Sequence, residues 1–362
     1  MSKSDDSERK RKAYCREGGT MRHNMKVSLF AAICIVGILC GCKKNEPYES
    51  NEIKEEAASS VMNISLFGGC FSDQNNGWLV GKLGIILHTT NGGKTWSVQQ
   101  SGKKLHLYDV SFCNANDGLA VGENGFIIHT TNGGMTWEPQ LSGITGNLRG
   151  VHFIDSAIAW VVGHEGAVLK TNDGGKTWTK HEAVEKQLKV MNRQFPPSLF
   201  SVKFSDTLHG FVVGHPGIIL CTTNGGETWE KQSSGTNAVL YKVETLDSKK
   251  AWVTGGEGVI LHTDDGGKTW NIQNSGVNFK LNSVSFINEK NGFVVGYKCI
   301  LQTEDGGETW LKTDISLPRW FYDIDFSDAN NGWAIGDSGT IYHTHDGGKN
   351  WNLEAVKIDA IP

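Results

Sequence analysis

The chain has 362 residues, of which 45 are glycine, 12 tryptophan and only 7 proline. That is long for one compact domain of about 100–200 residues, but an all-β array can be a single domain at this size. Formal charge is −4, split between +4 over residues 1–42 and −8 over the rest, where only Arg149, Arg193 and Arg319 are arginines; a nucleic-acid binder carries a basic face, so the balance argues against that class.

Taken in chain order, residues 1–24 are polar, and Met25-Lys26 opens an apolar run from Val27 to Cys40, followed by Gly41-Cys42-Lys43-Lys44. A positive start, a short apolar core and a small-residue exit describe a secretory signal, too short for a usual transmembrane helix. Leu39-Cys40-Gly41-Cys42 resembles the bacterial lipobox, which implies a diacylglycerol anchor on Cys42; an ordinary signal peptide or an uncleaved anchor is the alternative. On this reading 1–24 is an extension from a mis-assigned start, 25–41 the signal peptide, and 42–62 the lipidated cysteine with a charged, disordered tether. The expected location is the bacterial cell envelope, held to a membrane by lipid alone. Beyond the signal, Cys70, Cys113, Cys221 and Cys299 share no repeat position and no C-x-x-C spacing, so they read as free thiols.

From residue 63 to 358 one octet recurs seven times, as Thr171-Asn-Asp-Gly-Gly-Lys-Thr-Trp178 and its variants ending at Trp96, Trp137, Trp229, Trp270, Trp310 and Trp351. The spacing is 40 or 41 residues, except 51 between Trp178 and Trp229. Self-similarity at this period marks a repeat array or propeller. The repeat at 107–137 reads as strand A (Leu107–Phe112), a polar turn, strand B (Gly118–Gly122), a tight turn at Glu123-Asn124, strand C (Phe126–Thr130), the octet, and strand D from Trp137. The expected fold is therefore all-β: a seven-bladed β-propeller with four antiparallel strands per blade. Counted this way every blade supplies its own four strands, and blade 1 is expected to pack on blade 7 without a swapped strand, the alternative being a strand near Val61–Ile64 that pairs elsewhere.

Each octet position has a chemical reason. The third residue is Asn91, Asn132, Asp173, Asn224, Asp265, Asp305 or Asp346, each able to accept backbone N–H groups and close a turn. The fifth is always glycine, where positive φ is expected. The closing tryptophan is an apolar wedge between blades, and strand B carries a second set in Trp78, Leu119, Trp160, Phe211, Trp252, Phe293 and Trp333. These residues read as structural, the octet acids included. His88, His129, His262 and His343 share the position before the octet, but equivalent residues of different blades are too far apart to share one ion at ligand distances of roughly 2 Å. No metal or cofactor is expected.

The octet resembles the Asp-box found in sialidases, some glucanases and sorting receptors. The fuller repeat, with Asn76-Gly77-Trp78-Leu79-Val80-Gly81 and Asn331-Gly332-Trp333-Ala334-Ile335-Gly336 ahead of it, is similar to the photosystem II stability/assembly factor family, and the resemblance covers all seven blades. It implies a non-enzymatic scaffold that binds protein partners during assembly, through a surface that is arginine-rich in that family. Here the three propeller arginines are the departure.

Strand order sets where a site lies. D-to-A and B-to-C connections share one face; A-to-B turns and octets share the other. The irregular features all fall on the first face: the insertion within 181–198 with Arg193, His164-Glu165 and His215 in B-to-C turns, Arg149 near the start of strand A of blade 3, and Arg319-Trp320 ahead of blade 7. Arg and Trp are enriched in interface hot spots. This face is expected to bind a protein partner, or a glycan, with the chain a monomer. The alternative is an Asp-box glycoside hydrolase using two of Glu123, Glu165, Glu257 and Asp337, which needs two carboxylates about 5–9.5 Å apart across a cleft.

Overall fold

A computed structural model describes residues 64–182, 184, 197–313 and 320–358. Among them are 28 strands, β1 to β28 in chain order, grouped into seven four-stranded antiparallel sheets whose strands are consecutive in sequence. Blade 1 comprises β1 (Leu66–Phe71), β2 (Gly77–Gly81), β3 (Ile85–Thr89) and β4 (Ser97–Gln100). The inner strands of blades 2 to 7 are β5 (Leu107–Phe112), β9 (Leu148–Phe153), β13 (Ser198–Phe204), β17 (Leu240–Thr245), β21 (Leu281–Phe286) and β25 (Phe321–Phe326). Each packs on the inner strand of the next blade, and β1 packs on β25, closing a seven-bladed propeller. The predicted blade count and four strands per blade are those observed; in the repeat at 107–137, strands C and D start one residue later than expected, at Ile127 and Glu138. No helix among the described residues is long and apolar enough to cross a membrane.

Seven hydrophobic cores hold the ring, each shared by neighbouring blades. Strand B explains why. Gly-Trp-Leu-Val-Gly in β2 is buried at every position because both faces of the sheet are covered. Trp78 and Val80 join the core with blade 2, while Leu79 joins the core with blade 7. At five of the seven junctions the strand-B aromatic stacks on the last phenylalanine of the next blade's inner strand, as Trp78 on Phe112 with centroids 3.6 Å apart, Trp252 on Phe286 at 3.7 Å and Trp333 on Phe71 at 3.7 Å; Leu119 and Thr245 interrupt the other two. That phenylalanine meets its own octet tryptophan edge-on, as Phe112 meets Trp137 at 5.8 Å. Such pairs add about 0.5–1.5 kcal/mol each beyond area burial.

The octet is wired as the residue types require. In blade 3 the Thr171 hydroxyl donates to Asp173 Oδ1 (2.7 Å) and accepts the Gly175 N–H (2.9 Å), while Asp173 accepts the Thr177 N–H (2.9 Å) and hydroxyl (2.6 Å). The same set recurs in blade 1 with Asn91, whose Nδ2 donates to Thr95 Oγ1 instead. Gly226, at φ +79°, shows why the fifth residue is glycine: a Cβ there would sit 2.1 Å from the Trp160 ring.

Closure adds a contact that strand counting does not show. After β28 (Asn352–Leu353) the chain runs on to blade 1, where the Trp96 N–H donates to the Lys357 carbonyl (2.8 Å) and Trp96 bridges Ile358 in parallel. Val356 enters the core between blades 7 and 1. At the insertion, Val184 enters the core between blades 3 and 4, and His181 Nε2 donates to the Gly226 carbonyl (3.0 Å).

Candidate functional site: the axial mouth

The inner strands surround the propeller axis, and their repeat positions define it. Counted from Leu66, Leu107, Leu148, Leu199, Leu240, Leu281 and Phe321, the second residues are Phe67, Tyr108, Arg149, Phe200, Tyr241, Asn282 and Tyr322. They form a wreath at one end of the channel around a cavity of about 640 Å³, which His106, Ser198, His215 and Lys280 also line. Neighbouring rings touch: Phe67 meets Tyr322 edge-on with centroids 5.2 Å apart, and Phe200 meets Tyr241 at 5.5 Å. Two cations lie on the wreath. The Arg149 guanidinium is 3.9 Å from the Tyr108 centroid, and Lys280 Nζ is 4.0 Å from that of Tyr241. Among the described residues neither makes an ion pair. Burial pulls both below their ordinary pKa values, Lys280 also through Arg149.

Below the wreath the third residues Asp109, Lys242 and Asp323 form the floor. Lys242 Nζ lies 3.3 Å from Asp323 and 3.8 Å from Asp109. Both carboxylates also stitch blades together. The Val151 N–H donates to Asp109 Oδ2 (2.9 Å), the Gly69 N–H to Asp323 Oδ2 (3.0 Å), and the Ser283 hydroxyl to Asp323 Oδ1 (2.6 Å). Burial raises the Asp109 carboxyl and Lys242 counters it, while Asp323 and Asp109 hold the buried ammonium above its usual value. Deeper still come the fifth residues. Lys203 pairs with Glu244 (3.1 Å), Asp325 Oδ2 accepts the Phe71 N–H (2.9 Å), and His152 Nε2 donates to the Phe204 carbonyl (3.2 Å). Burial pushes Asp325 up to about 6 and His152 down to about 3. This level is a fastening of opposite charges with little free space, about 80 Å³.

The residues chosen from sequence divide. Arg149 and His215 line the mouth. His164 Nε2 accepts from Arg149 Nε–H at 3.1 Å, holding the guanidinium. Glu165 occupies the left-handed corner of its turn at φ +59°, so its position is set by the backbone. Trp320 packs on Tyr297 with centroids 4.5 Å apart, beside blade 6. Arg193 and Arg319 lie outside the described residues, as do Cys42 and the whole of 1–63. Sequence reading missed Phe67, Tyr108, Phe200, Tyr241, Tyr322 and Lys280. Their signal was present: an aromatic residue recurs second in strand A in five of seven blades.

Overlapping stretches 45–144, 99–180, 140–236, 182–277, 231–319 and 311–361 match the family described as photosynthesis system II assembly factor YCF48. The chain belongs to that family. Solved structures with the same fold include YCF48 from Cyanidioschyzon merolae, at 22% identity and TM-score 0.66, covering 78% of this chain and 96% of that one. A structure of YCF48 bound to D1 peptide gives 22%, 0.63, 78% and 93% for the same measures. The GH74 xyloglucanase from Xanthomonas campestris gives 11%, 0.67, 79% and 52%. No curated protein sequence matches significantly. At these identities the structural likeness shows the fold alone; the family rests on the sequence match.

In this YCF48-family chain Glu123, Glu165, Glu257 and Asp337 all sit in B-to-C turns, and Glu123 and Asp337 are held there by hydrogen bonds. Glu123 accepts the His106 N–H (2.8 Å), and Glu257 sits at a turn corner with φ +59°. Asp337 accepts the Tyr322 hydroxyl (2.9 Å) and the Ser65 hydroxyl (2.9 Å). The four propeller thiols are unpaired, and burial raises them to about 12 for Cys70 and about 11 for Cys113, Cys221 and Cys299, which keeps them protonated. Three of the histidines before the octet stack on strand-B aromatics, His88 on Trp78 at 4.6 Å, His262 on Trp252 at 4.6 Å and His343 on Trp333 at 4.2 Å, while His129 lies opposite Leu119.

Proposed function

We propose that this YCF48-family propeller is a non-enzymatic, lipid-anchored scaffold of the bacterial envelope that holds a segment of a protein partner over its axial mouth. The observation that carries the reading is the wreath itself. Tyrosines and phenylalanines surround a half-open cavity, with Arg149 and Lys280 stacked on the rings and unpaired among the described residues. Rigid aromatics with cations on a preformed floor are hot-spot chemistry. The D1 peptide held by a related YCF48 supports a peptide as the occupant.

The geometry disfavours glycoside hydrolysis. Asp109 and Asp323 both pair with the Lys242 ammonium, at 3.8 and 3.3 Å. Each also accepts a backbone N–H from the next blade. A free acid and a free nucleophile or base are needed for that chemistry.

The test is photocrosslinking in intact cells from position 241 at the mouth and from Lys268 on the octet face. A protein adduct from the mouth alone, lost in Arg149→Ala/Lys280→Ala, is the expected result. Equal labelling from both positions, or labelling indifferent to the double substitution, refutes the mouth as the site. The anchor is tested separately: Cys42→Ser is expected to abolish labelling with a radioactive fatty acid and release the chain from membranes.

A further inference from the structure

We propose that His343, His345 and Glu354 form a divalent transition-metal site of the Zn²⁺ class on blade 7, which braces the segment that closes the ring. One ligand atom from each lies within 4.8 Å of the others. His343 is the third residue of β27 (Ile341–Thr344), is 3% exposed, and is stacked on Trp333 at 4.2 Å, which fixes its plane. Its Nε2 is buried with no hydrogen-bond partner. The His345 ring centroid is 3.8 Å away. His345 Nδ1 lies 3.1 Å from Asn331 Oδ1, so the amide oxygen accepts Nδ1–H and leaves Nε2 as the lone-pair donor. A hydrogen bond of this kind from the non-ligating nitrogen is the usual outer support of a metal-bound imidazole. Glu354 follows β28, and its N–H donates to the Ile341 carbonyl (2.9 Å), which pins its backbone beside β27.

Comparison with the other blades separates this cluster from ordinary repeat chemistry. His88, His129 and His262 occupy the position of His343, and the Nε2 atoms of His88 and His262 are likewise buried without a partner. That feature alone belongs to the strand. But the next-but-one residue is Thr90, Thr131 or Asp264 where blade 7 has His345. Three residues after the octet tryptophan those blades carry Gln99, Gln140 and Gln273, where blade 7 has Glu354. Gln99 and Gln273 use their amides to donate to the next octet, at Gly133 (2.9 Å) and Gly306 (3.1 Å). Of the four blades that carry the histidine, blade 7 alone has ligand-type residues at both further positions, which the fold brings together; blade 5 has Asp264 at the first but Gln273 at the second.

Two imidazole nitrogens and a carboxylate suit a borderline ion such as Zn²⁺, with a fourth position left for water. Ligation at about 2.0–2.1 Å requires the three atoms to close in, and exposed His345 has the freedom to do so. Glu354 stands two residues before Val356, whose burial seals blade 7 to blade 1. Metal binding therefore couples to ring closure.

The test uses the full-length chain, stripped with a chelator and titrated with zinc chloride by calorimetry, with Co²⁺ absorption as a second readout. Wild type is expected to bind one ion tightly and to melt at a higher temperature with zinc than without. His345→Ala, at an exposed position that leaves the fold intact, is expected to lose more than the roughly 10–100-fold in affinity that removal of an outer-shell support costs, and to lose the thermal shift. Glu354→Gln is expected to weaken binding in the same direction. Unchanged affinity and thermal shift in both variants, or no binding by wild type, overturns the proposal.

Discussion

At the scale of single residues, the octet aspartates are held far below their ordinary pKa. Asp173, Asp305 and Asp346 fall to about 2, first through the side chains of Thr177, Thr309 and Asn350, and Asp265 falls to about 2, first through the Thr269 N–H. Folded values below the unfolded one mean that these carboxylates favour the folded state above about pH 4, and that the preference is lost as pH falls toward 2. Replacing all four by Asn, the residue already present as Asn91, Asn132 and Asn224, is expected to flatten the fall in Tm between about pH 4 and pH 2, measured by calorimetry. An unchanged slope would show that other groups govern acid unfolding. Gly226→Ala probes the neighbouring position. Its φ of +79° and the 2.1 Å approach to Trp160 combine backbone strain with overpacking. We expect a loss of about 1–3 kcal/mol or more in denaturant melts, whereas Ala at Gly235, with nothing within 4 Å of its Cβ, keeps only the backbone penalty.

At the scale of elements, the closing segment carries more than its length implies. Residues 356–358 form no regular strand with blade 7, yet they bury Val356 and satisfy the Trp96 N–H. Deleting 356–362 removes a buried valine, worth about 1.5–3 kcal/mol, and leaves a buried backbone donor unmatched, which adds about 1–3 kcal/mol. The expected outcome is faster hydrogen exchange in β1 to β4 and in β25, ahead of the other blades. Uniform exchange around the ring after the deletion would mean that β1 on β25 suffices for closure. The inner strands are the other element that matters. Their second residue serves the mouth, third and fifth residues such as Asp323 and Asp325 stitch blades, and their last, a phenylalanine everywhere but at Thr245, packs in the core. One six-residue strand thus divides its positions between binding, fastening and core.

Over the whole molecule, the charged channel ties together blades that are distant in sequence. Asp323 of blade 7 reaches the Gly69 N–H of blade 1, Ser283 of blade 6 and Lys242 of blade 5. Removing one partner of a buried pair strands the other charge, at a cost of about 3–5 kcal/mol. Asp323→Ala is therefore expected to lower stability by that order in urea melts, and Asp323→Ala/Lys242→Met to recover part of it. If the double variant is no better than the single one, the backbone contact to Gly69 outweighs the ion pair.

By itself the sequence determined the architecture: the octet period sets seven blades, and the side chains in each octet are those its turn needs, as the hydrogen bonds of Thr171, Asp173 and Thr177 show. These interactions are local or between adjacent repeats, so spacing along the chain specifies them. The mouth is different. Tyr108, Arg149, Tyr241 and Lys280 meet because a closed ring turns seven equivalent strand positions toward one axis, and no spacing shows which of those positions faces it. The same holds for the blade 7 cluster, where His345 in the octet and Glu354 beyond it come together only because β28 folds back beside β27. The sequence also pointed to Arg149 and His215, since irregular residues on the loop face stand out against a repeat. The partners that give them a role became visible once the ring closed, because convergence on an axis is a property of three-dimensional closure and not of any one repeat.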